Sequence, residues 1–375
     1  FALRFLYSCL VDADALDTQA HFRELDAPRC GLALDAPMLL ERFLSRRKEY
    51  LDARRTRYPG PDAATAMSAL RELVFESAMS AAATGQRLLR LTAPTGAAKT
   101  IAAAGFALRH AAMFGKRRVI VAVPFITITE QNAAVYRRLL ENPDPSGSPV
   151  VLEHHSNVDL DQETSDQRDW RRLAAENWDA PFVVTTTVQL FESLFGRKPS
   201  QMRKVHRLAD SVTVLDEIQA LPHHLLPQIA DALRILTERF GATVLLSSAT
   251  QPELGTLSPL RHLDAPEVVP DVATVFARAR RVRYRWRVDP KPTLAEVVAD
   301  ALDHRQVLLV VNTVRDARAA FEQARDQATP DVHVAHLSTG MCPAHRRVVL
   351  RQVMGRIEAR EPLCLVSTSL IEAGV

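Results

Sequence analysis

Short apolar runs alternate with longer amphipathic stretches along most of the chain. Before residue 250 the runs fall at 88–91, 119–123, 150–152, 182–184, 212–215 and 244–246, and each predicts a strand. Stretches with the spacing of a helix separate most of them. This alternation predicts an α/β fold, in which helices cover both faces of a parallel sheet and ligands bind at the carboxyl ends of its strands.

A second α/β unit is predicted after the proline-rich stretch at 259–270. There the pattern predicts a basic strand at 280–287, further strands at 307–311, 332–336 and 363–367, and helices at 294–304, 314–327 and 343–360. We find no second phosphate-binding loop in this unit.

The first 50 residues show helical spacing of apolar side chains instead of the strand pattern. Asp12 and Asp14 interrupt the apolar face, either as metal ligands or as solvated acids at a helix edge. A helix breaker at 58–62 then predicts a linker.

Composition narrows the class of protein. The chain has 375 residues, enough for two or three domains of ~150 residues each. No apolar run approaches the ~20 residues that span a membrane, so we expect no membrane partner. The net charge of +3 permits nucleic-acid binding without requiring it. Four scattered cysteines without a CxxC pair argue against disulfides or a zinc knuckle, and predict a reducing, cytoplasmic setting.

One strand runs into a loop with the features of a phosphate-binding site. Residues 91–100 read Leu-Thr-Ala-Pro-Thr-Gly-Ala-Ala-Lys-Thr and open into an Ala-rich helix. Backbone N–H groups of such a loop, and the positive end of the helix, bind anionic oxygens. Lys99 is expected to contact the outer phosphates of ATP, and the Thr100 hydroxyl to coordinate Mg²⁺. The predicted ATP-binding residues are Pro94, Thr95, Gly96, Ala97, Ala98, Lys99 and Thr100.

The loop departs from the usual pattern of two flanking glycines, because Ala93 and Ala98 occupy those positions. Ala98 is the more serious departure. If its backbone must adopt a positive φ, its Cβ costs on the order of 1 kcal/mol. An alternative interpretation is therefore a chance turn in front of an Ala-rich helix.

Two further strands end in chemistry that suits a nucleotide hydrolase. Strand 212–215 leads into Asp216, expected to hold Mg²⁺, and Glu217, expected to orient and activate the attacking water. The alternative is a strand end with two solvated acids. Strand 244–246 leads into hydroxyl side chains that are expected to hydrogen-bond the acids and relay nucleotide state. The predicted catalytic residues are Lys99, Asp216 and Glu217, and the predicted coupling residues are Ser248, Ala249 and Thr250.

These three motifs, in this order, resemble motifs I, II and III of superfamily 2 helicases. Longer strings resemble the CRISPR-associated helicase–nuclease of type I systems, especially its type I-C branch. The strings lie at 106–111, 124–133, 152–156, 174–181, 189–195, 249–252, 336–347 and 370–375. The resemblance implies two RecA-like lobes, the second incomplete, preceded by the helical remnant of an HD nuclease domain.

The implied domains are the end of the HD domain with its linker at 1–58, the first lobe at 59–265 and the truncated second lobe at 266–375. By the resemblance, Asp14 is the last ligand of a divalent transition metal in the HD domain. The other ligands of that metal are absent from this sequence. Motif V likewise continues beyond Gly374–Val375, and the arginines of motif VI lie further on. We interpret the chain as part of a longer protein.

The resemblance also places residues near a bound nucleic-acid strand. Hydroxyls, amides and loop backbone suit contacts to phosphate and sugar, which position a strand without reading its sequence. The residues implied are Pro124, Gln131, Asn132, Thr186, Thr187, Asn312 and Thr313. The pairs His154–His155 and His223–His224 are assigned to loops or the surface rather than to a metal site.

Together the residues and the resemblance predict an ATP- and Mg²⁺-dependent translocase or helicase on single-stranded DNA. With its HD nuclease it would degrade foreign DNA in type I CRISPR interference, after recruitment by an RNA-guided surveillance complex of the Cascade type. We expect a monomer. Rivals in the same class are an RNA helicase and a restriction-enzyme motor. A rival of another class is a scaffold that keeps the fold without hydrolysing nucleotide, which Ala98 favours.

Overall fold

The structure is a computed structural model that describes residues 1–24, 26, 31, 33–57, 63–142, 149–156, 173–261, 265–280 and 282–373. The chain forms two compact units, Phe1–Arg280 and Arg281–Val375. The predicted linker at 58–62 and the predicted motif end at Gly374–Val375 lie outside the described residues.

A parallel sheet of six strands forms the centre of the first unit, as the apolar runs predict. The strands are β1 (Leu88–Thr92), β2 (Arg118–Val123), β3 (Val151–His154), β4 (Phe182–Thr186), β5 (Ser211–Asp216) and β6 (Thr243–Ser248). Their order in space is β1-β6-β5-β2-β4-β3, and every neighbouring pair is parallel. All six carboxyl ends therefore lie along one edge of the sheet.

Helices cover both faces of this sheet. They are α1 (Ala2–Phe22), α2 (Ala36–Arg57), α3 (Ala63–Ala82), α4 (Lys99–Phe114), α5 (Ile126–Leu140), Thr187–Phe195, Pro199–Met202, Leu226–Arg239 and Val272–Arg278. Along β2, Val119 and Val121 pack against α2 to α5, whereas Ile120 packs on the other face with Leu226–Arg239. Both faces of the sheet are therefore buried, which explains why its strands read as continuous apolar runs. None of the described helices is long and apolar enough to cross a membrane.

The segment after Ala265 stays with the first unit. Glu267 forms a parallel bridge to Arg90 in the edge strand β1, and the Val268 N–H donates to the Arg90 carbonyl at 2.7 Å. The helix Val272–Arg278 continues this segment and packs near α3. The division between the units consequently lies at Arg280, later in the chain than the division predicted after residue 265.

The second unit contains three parallel strands, β7 (Gln306–Val310), β8 (His333–Leu337) and β9 (Leu363–Ser367), in the order β7-β9-β8. Helices Leu294–Leu302 and Val314–Gln327 pack on one face, and Pro343–Glu358 packs on the other. The strand predicted at 280–287 is wrong, because residues 282–287 form no regular element and Tyr284 and Trp286 are exposed. Alternation along the chain is typical of a strand, but a strand also needs a neighbour to pair with.

A buried histidine links two helices to the sheet. His110 in α4 places Nδ1 at 3.0 Å from the Ala82 carbonyl in α3 and Nε2 at 2.9 Å from Thr243 Oγ1 in β6. Its ring also stacks on Phe106. Burial lowers the pKa of His110 from 6.5 to about 4, so the imidazole is neutral at pH 7.

We therefore expect the first unit to lose stability as the pH falls from 7 to 4. The unfolded chain takes up a proton at His110 near pH 6.5, whereas the folded chain resists protonation until about pH 4. Proton uptake thus favours unfolding, by about 3 kcal/mol across this range for this one side chain. The measurement is the free energy of unfolding in urea at several pH values.

His110→Gln should flatten this pH dependence, because glutamine has no proton to gain. His21→Gln, at an exposed histidine of α1, is the matched control and should leave the dependence unchanged. Equal slopes for the wild type and His110→Gln would contradict the assignment.

Candidate nucleotide site

The loop between β1 and α4 turns through a left-handed residue. The Ala97 N–H donates to the Pro94 carbonyl at 3.1 Å, and Gly96 has a φ of 88°. Ala98 precedes the helix as its N-cap, with φ 59° and ψ 40°. This conformation favours glycine and costs a residue with a Cβ on the order of 1 kcal/mol. The backbone at position 98 thus has the left-handed conformation that glycine adopts easily. Because this residue is alanine, the conformation is strained.

The amino terminus of α4 is open to an anion. Its first turn contains no acidic residue, and the N–H groups of Lys99 and Thr100 lie where a helix offers them no internal acceptor. Together with the helix dipole, these groups favour a bound phosphate. Arg71 in α3 donates from Nε to the Gly96 carbonyl at 2.9 Å and so fixes the loop from outside.

Lys99 turns back into the site. Its side chain is only 8% exposed, and Nζ donates to the Ala93 carbonyl at 3.1 Å. The same nitrogen lies 3.9 Å from Glu217 Oε1. An ammonium group has three donors, so Lys99 is able to hold an anionic oxygen while it keeps these contacts.

Asp216 is buried at the end of β5, with 6% of its surface exposed. One carboxylate oxygen accepts hydrogen bonds from Ser247 Oγ at 2.7 Å and from the Glu217 N–H at 3.1 Å. Burial raises the pKa of Asp216, and the Ser247 hydrogen bond opposes that shift. The interpretation of two solvated acids is therefore wrong for Asp216.

Glu217 is half-buried and holds a left-handed backbone with φ of 50°. Its Oε2 accepts from Gln219 Nε2 at 2.6 Å, while Oε1 faces Lys99. The structure thus brings Lys99, Asp216 and Glu217 together at one point of the sheet edge.

Strand β6 lies between β1 and β5 and ties their ends together. Ser248 donates from Oγ to Gln219 Oε1 at 2.5 Å, and its carbonyl accepts from the Ala93 N–H at 3.2 Å. Thr250 donates from its backbone N–H to Ser248 Oγ at 2.9 Å, and Ala249 is half-buried. Ser248 therefore contacts both the loop and the acidic motif.

The sequence predicts that hydroxyl side chains at the end of β6 hydrogen-bond the acids, and Ser247 is the one that reaches Asp216. No role is predicted for Gln219. Both residues lie within the motifs that the sequence singled out, Ser247 next to Ser248 and Gln219 two residues after Glu217. Their closeness in the sequence to residues with assigned roles was the available signal. Which of the two neighbouring serines reaches Asp216 depends on the side-chain alternation along β6.

The residues fit ATP and Mg²⁺. The helix terminus and Lys99 supply donors for phosphate, and Thr100 and Asp216 supply the oxygen ligands that Mg²⁺ prefers. A divalent cation would also stabilise the charged form of the buried Asp216 carboxylate.

The residues predicted near a nucleic-acid strand lie partly on this same edge. Pro124 follows β2, and the β2–β4 register places Val123 opposite Thr186. Thr186 and Thr187 are both buried, and Thr186 Oγ1 caps the helix Thr187–Phe195 by accepting from the Gln189 N–H.

The remaining residues of that set are spread over two elements. In α5, Gln131 is exposed, whereas Asn132 is buried and its Nδ2 has no hydrogen-bond partner among the described residues. Asn312 and Thr313 are exposed in the second unit, where Thr313 Oγ1 accepts from the Asp316 N–H at 3.0 Å.

The predicted HD metal site is not assembled in the described part of the chain. Asp14 is exposed on α1, and no group of three or more His, Cys, Asp or Glu side chains in the described residues is arranged to hold a metal ion. The residues present thus do not fit that metal by themselves.

The histidine pairs differ from each other. His223 and His224 are exposed as expected, but His155 is buried, 2.8 Å from Glu153 Oε1.

Comparisons with known proteins show which families this chain is similar to. Residues 74–257 match the family model of the DEAD/DEAH box helicases. The chain is 31% identical over 231 residues to the CRISPR-associated nuclease/helicase Cas3 of Haloferax volcanii, a match that covers 52% of this chain and 25% of that protein.

Solved structures share the fold. T. fusca Cas3 superposes with a TM-score of 0.61 at 19% identity, covering 89% of this chain and 42% of that one. The DNA-bound DUF1998 helicase MrfA gives 0.54 at 15% identity, covering 85% and 46%. The chain thus spans less than half the length of these relatives.

The fold is the parallel α/β, RecA-like fold of helicases, preceded by a helical region, as predicted. Residues 74–257 are thus similar to the DEAD/DEAH box helicases, and the chain is similar to the Cas3 nuclease/helicases.

Proposed function

We propose that this chain is the motor portion of an ATP-dependent translocase or helicase that acts on single-stranded DNA. The observation that carries the proposal is the convergence of Lys99, Asp216 and Glu217 on one sheet edge within a helicase domain. The DNA in the structure of the relative MrfA supports DNA as the nucleic acid.

In this proposal the loop Pro94–Thr100 binds the phosphates of ATP. Its backbone N–H groups and the α4 terminus hold the anionic oxygens, and Lys99 contacts the outermost phosphate. Thr100 and Asp216 hold Mg²⁺, which when bound neutralises charge on the phosphates.

Glu217 is proposed to orient the attacking water and to accept its proton. The hydrogen bond from Gln219 fixes one oxygen of this carboxylate, and Lys99 lies beside the other. Ser248 contacts Gln219 and the loop backbone, so it is placed to relay a change at the phosphates to the acidic motif.

The DNA strand is proposed to contact the residues that the family resemblance indicates, namely Pro124, Gln131, Asn132, Thr186, Thr187, Asn312 and Thr313. Loop backbone at the ends of β2 and β4, and the exposed side chains of Gln131, Asn312 and Thr313, suit contacts to phosphate and sugar without reading sequence.

The wider role follows from the homology. We propose that the longer protein couples this motor to a metal-dependent HD nuclease that includes Asp14, and degrades foreign DNA in type I CRISPR interference. Recruitment by an RNA-guided surveillance complex is part of the same proposal. The relative's name, nuclease/helicase, supports it.

Lys99→Ala and Asp216→Asn should each lower ATP hydrolysis by the full-length protein about 100-fold or more, because each removes electrostatic stabilisation of the transferring phosphoryl group. Binding of single-stranded DNA should be retained. The measurements are phosphate release and DNA affinity with the same preparations. Lys198→Ala and Asp17→Asn, at exposed residues of the first unit, are matched controls. Unchanged hydrolysis in Lys99→Ala and Asp216→Asn would remove the roles assigned here.

Ala98→Gly tests the scaffold alternative. Glycine relieves the left-handed strain, so the free energy of unfolding should rise by up to about 1 kcal/mol and ATP binding should be kept or strengthened. Ala97→Gly is the control at a neighbouring, buried alanine without a positive φ, and should be destabilising. The measurements are urea unfolding and titration with a fluorescent ATP analogue. If neither the wild type nor Ala98→Gly binds the nucleotide, the alternative of a scaffold that does not hydrolyse nucleotide is favoured.

A further inference from the structure

One face of helix α1 packs against the rest of the first unit. Phe5 stacks on Phe240 with ring centroids 3.7 Å apart, and Ser8 donates from Oγ to the Met202 carbonyl at 2.6 Å. One turn later, Asp12 is 3% exposed. These residues recur at helical spacing, so the contact face runs along α1 and includes a buried acid.

Asp12 is surrounded by arginine, histidine and amide groups from two places in the chain, Asn177 and the segment 203–207. Its Oδ1 accepts from Arg203 at 3.0 Å and 3.1 Å, and its Oδ2 accepts from Asn177 at 3.2 Å. His206 Nε2 and Arg207 lie 3.5 Å and 3.7 Å from Oδ2. A buried carboxylate with these partners holds its helix in position, because a shift of α1 would leave the charge buried without them.

A second contact joins α1 to the helix Thr187–Phe195. Arg4 donates from Nε to the Leu194 carbonyl at 3.0 Å, and its NH2 group donates to the Gly196 carbonyl. The opposite end of that helix begins at Thr187, which the proposed function assigns to the DNA strand. Movement of this helix along its axis would therefore displace the carbonyl groups that Arg4 contacts.

Asp14 lies on the other side of α1. Two residues along an α-helix correspond to a rotation of about 200°, and Asp14 is accordingly exposed where Asp12 is buried. One helix thus presents Asp12 to the motor unit and Asp14 to the side away from it.

We propose that Asp12 is a positioning residue that couples the DNA-contacting helix of the motor to the Asp14 face of α1. It does so by locking α1 to Arg203, His206 and Arg207, which lie on the chain segment following that helix. The inference rests on the proposed function, because it requires the first unit to bind single-stranded DNA.

The test places a fluorophore on Cys9, an exposed residue of α1, after Cys30 and Cys342 have been replaced by serine. Oligothymidine is titrated into the 375-residue chain while the emission of the label is followed, and anisotropy of labelled oligothymidine gives the affinity independently. We expect DNA binding to shift the emission in the wild type. Asp17→Asn, at an exposed acid of the same helix, is the control and should behave like the wild type.

Asp12→Asn should bind oligothymidine within about twofold of the wild-type affinity but lose most of the emission shift. If Asp12→Asn does not fold, Arg203→Lys takes its place, because lysine keeps the charge and loses the two-pronged contact; the same loss is expected. A full emission shift in these variants would overturn the inference alone. Absence of DNA binding in the wild type would instead reject the proposed function, and the inference with it.

Discussion

The common edge of the parallel strands is the constraint on which the candidate site depends. Strand β6 lies between β1 and β5, and Ser247 stands opposite both Leu91 and Asp216 in the register. This pairing brings the phosphate loop and the acidic motif together although they are far apart in sequence. A slip of one residue in the β5–β6 pair would turn Asp216 to the other face, because side chains alternate along a strand. The backbone hydrogen bonds of β6 thus set the distance between Lys99 and the acids.

Several energetically unfavourable groups of the first unit lie at this same edge. Lys99 and Asp216 are buried charges, and Ala98 and Glu217 both hold left-handed backbones. Each of these features costs free energy, and strained residues of this kind persist only where the surrounding structure fixes them. At an ordinary strand end, acidic side chains are exposed to water, and residues with a left-handed backbone are usually glycine. The combination therefore distinguishes this edge from the carboxyl edge of a sheet that binds nothing.

Local signals were enough to predict the elements. The apolar runs located β1 to β9 to within two residues at either end. In the first sheet this is because its strands bury consecutive side chains. They failed at 280–287, where alternation predicts a strand but no described strand lies alongside. The order of the motifs indicated that Lys99 and Asp216 meet. It did not indicate which hydroxyl after strand 244–246 reaches Asp216, because that depends on the pairing of β6. It gave no sign of the contact made by Gln219 or of the burial of His155 beside Glu153.

Contacts between distant parts of the chain were beyond any local pattern. Asp12 was open to interpretation as a metal ligand or a solvated acid, and it is neither in the described structure: it is the buried partner of Arg203, 191 residues away. The spacing of Phe5, Ser8 and Asp12 indicates one face of a helix, and a carboxylate on a buried face requires a cation. Spacing does not say which cation. Contacts with the rest of the first unit hold α1 in position. The stability of α1 therefore depends on the first unit, although its sequence resembles the end of an HD domain. A boundary drawn from family likeness and a boundary drawn from contacts therefore need not fall at the same residue.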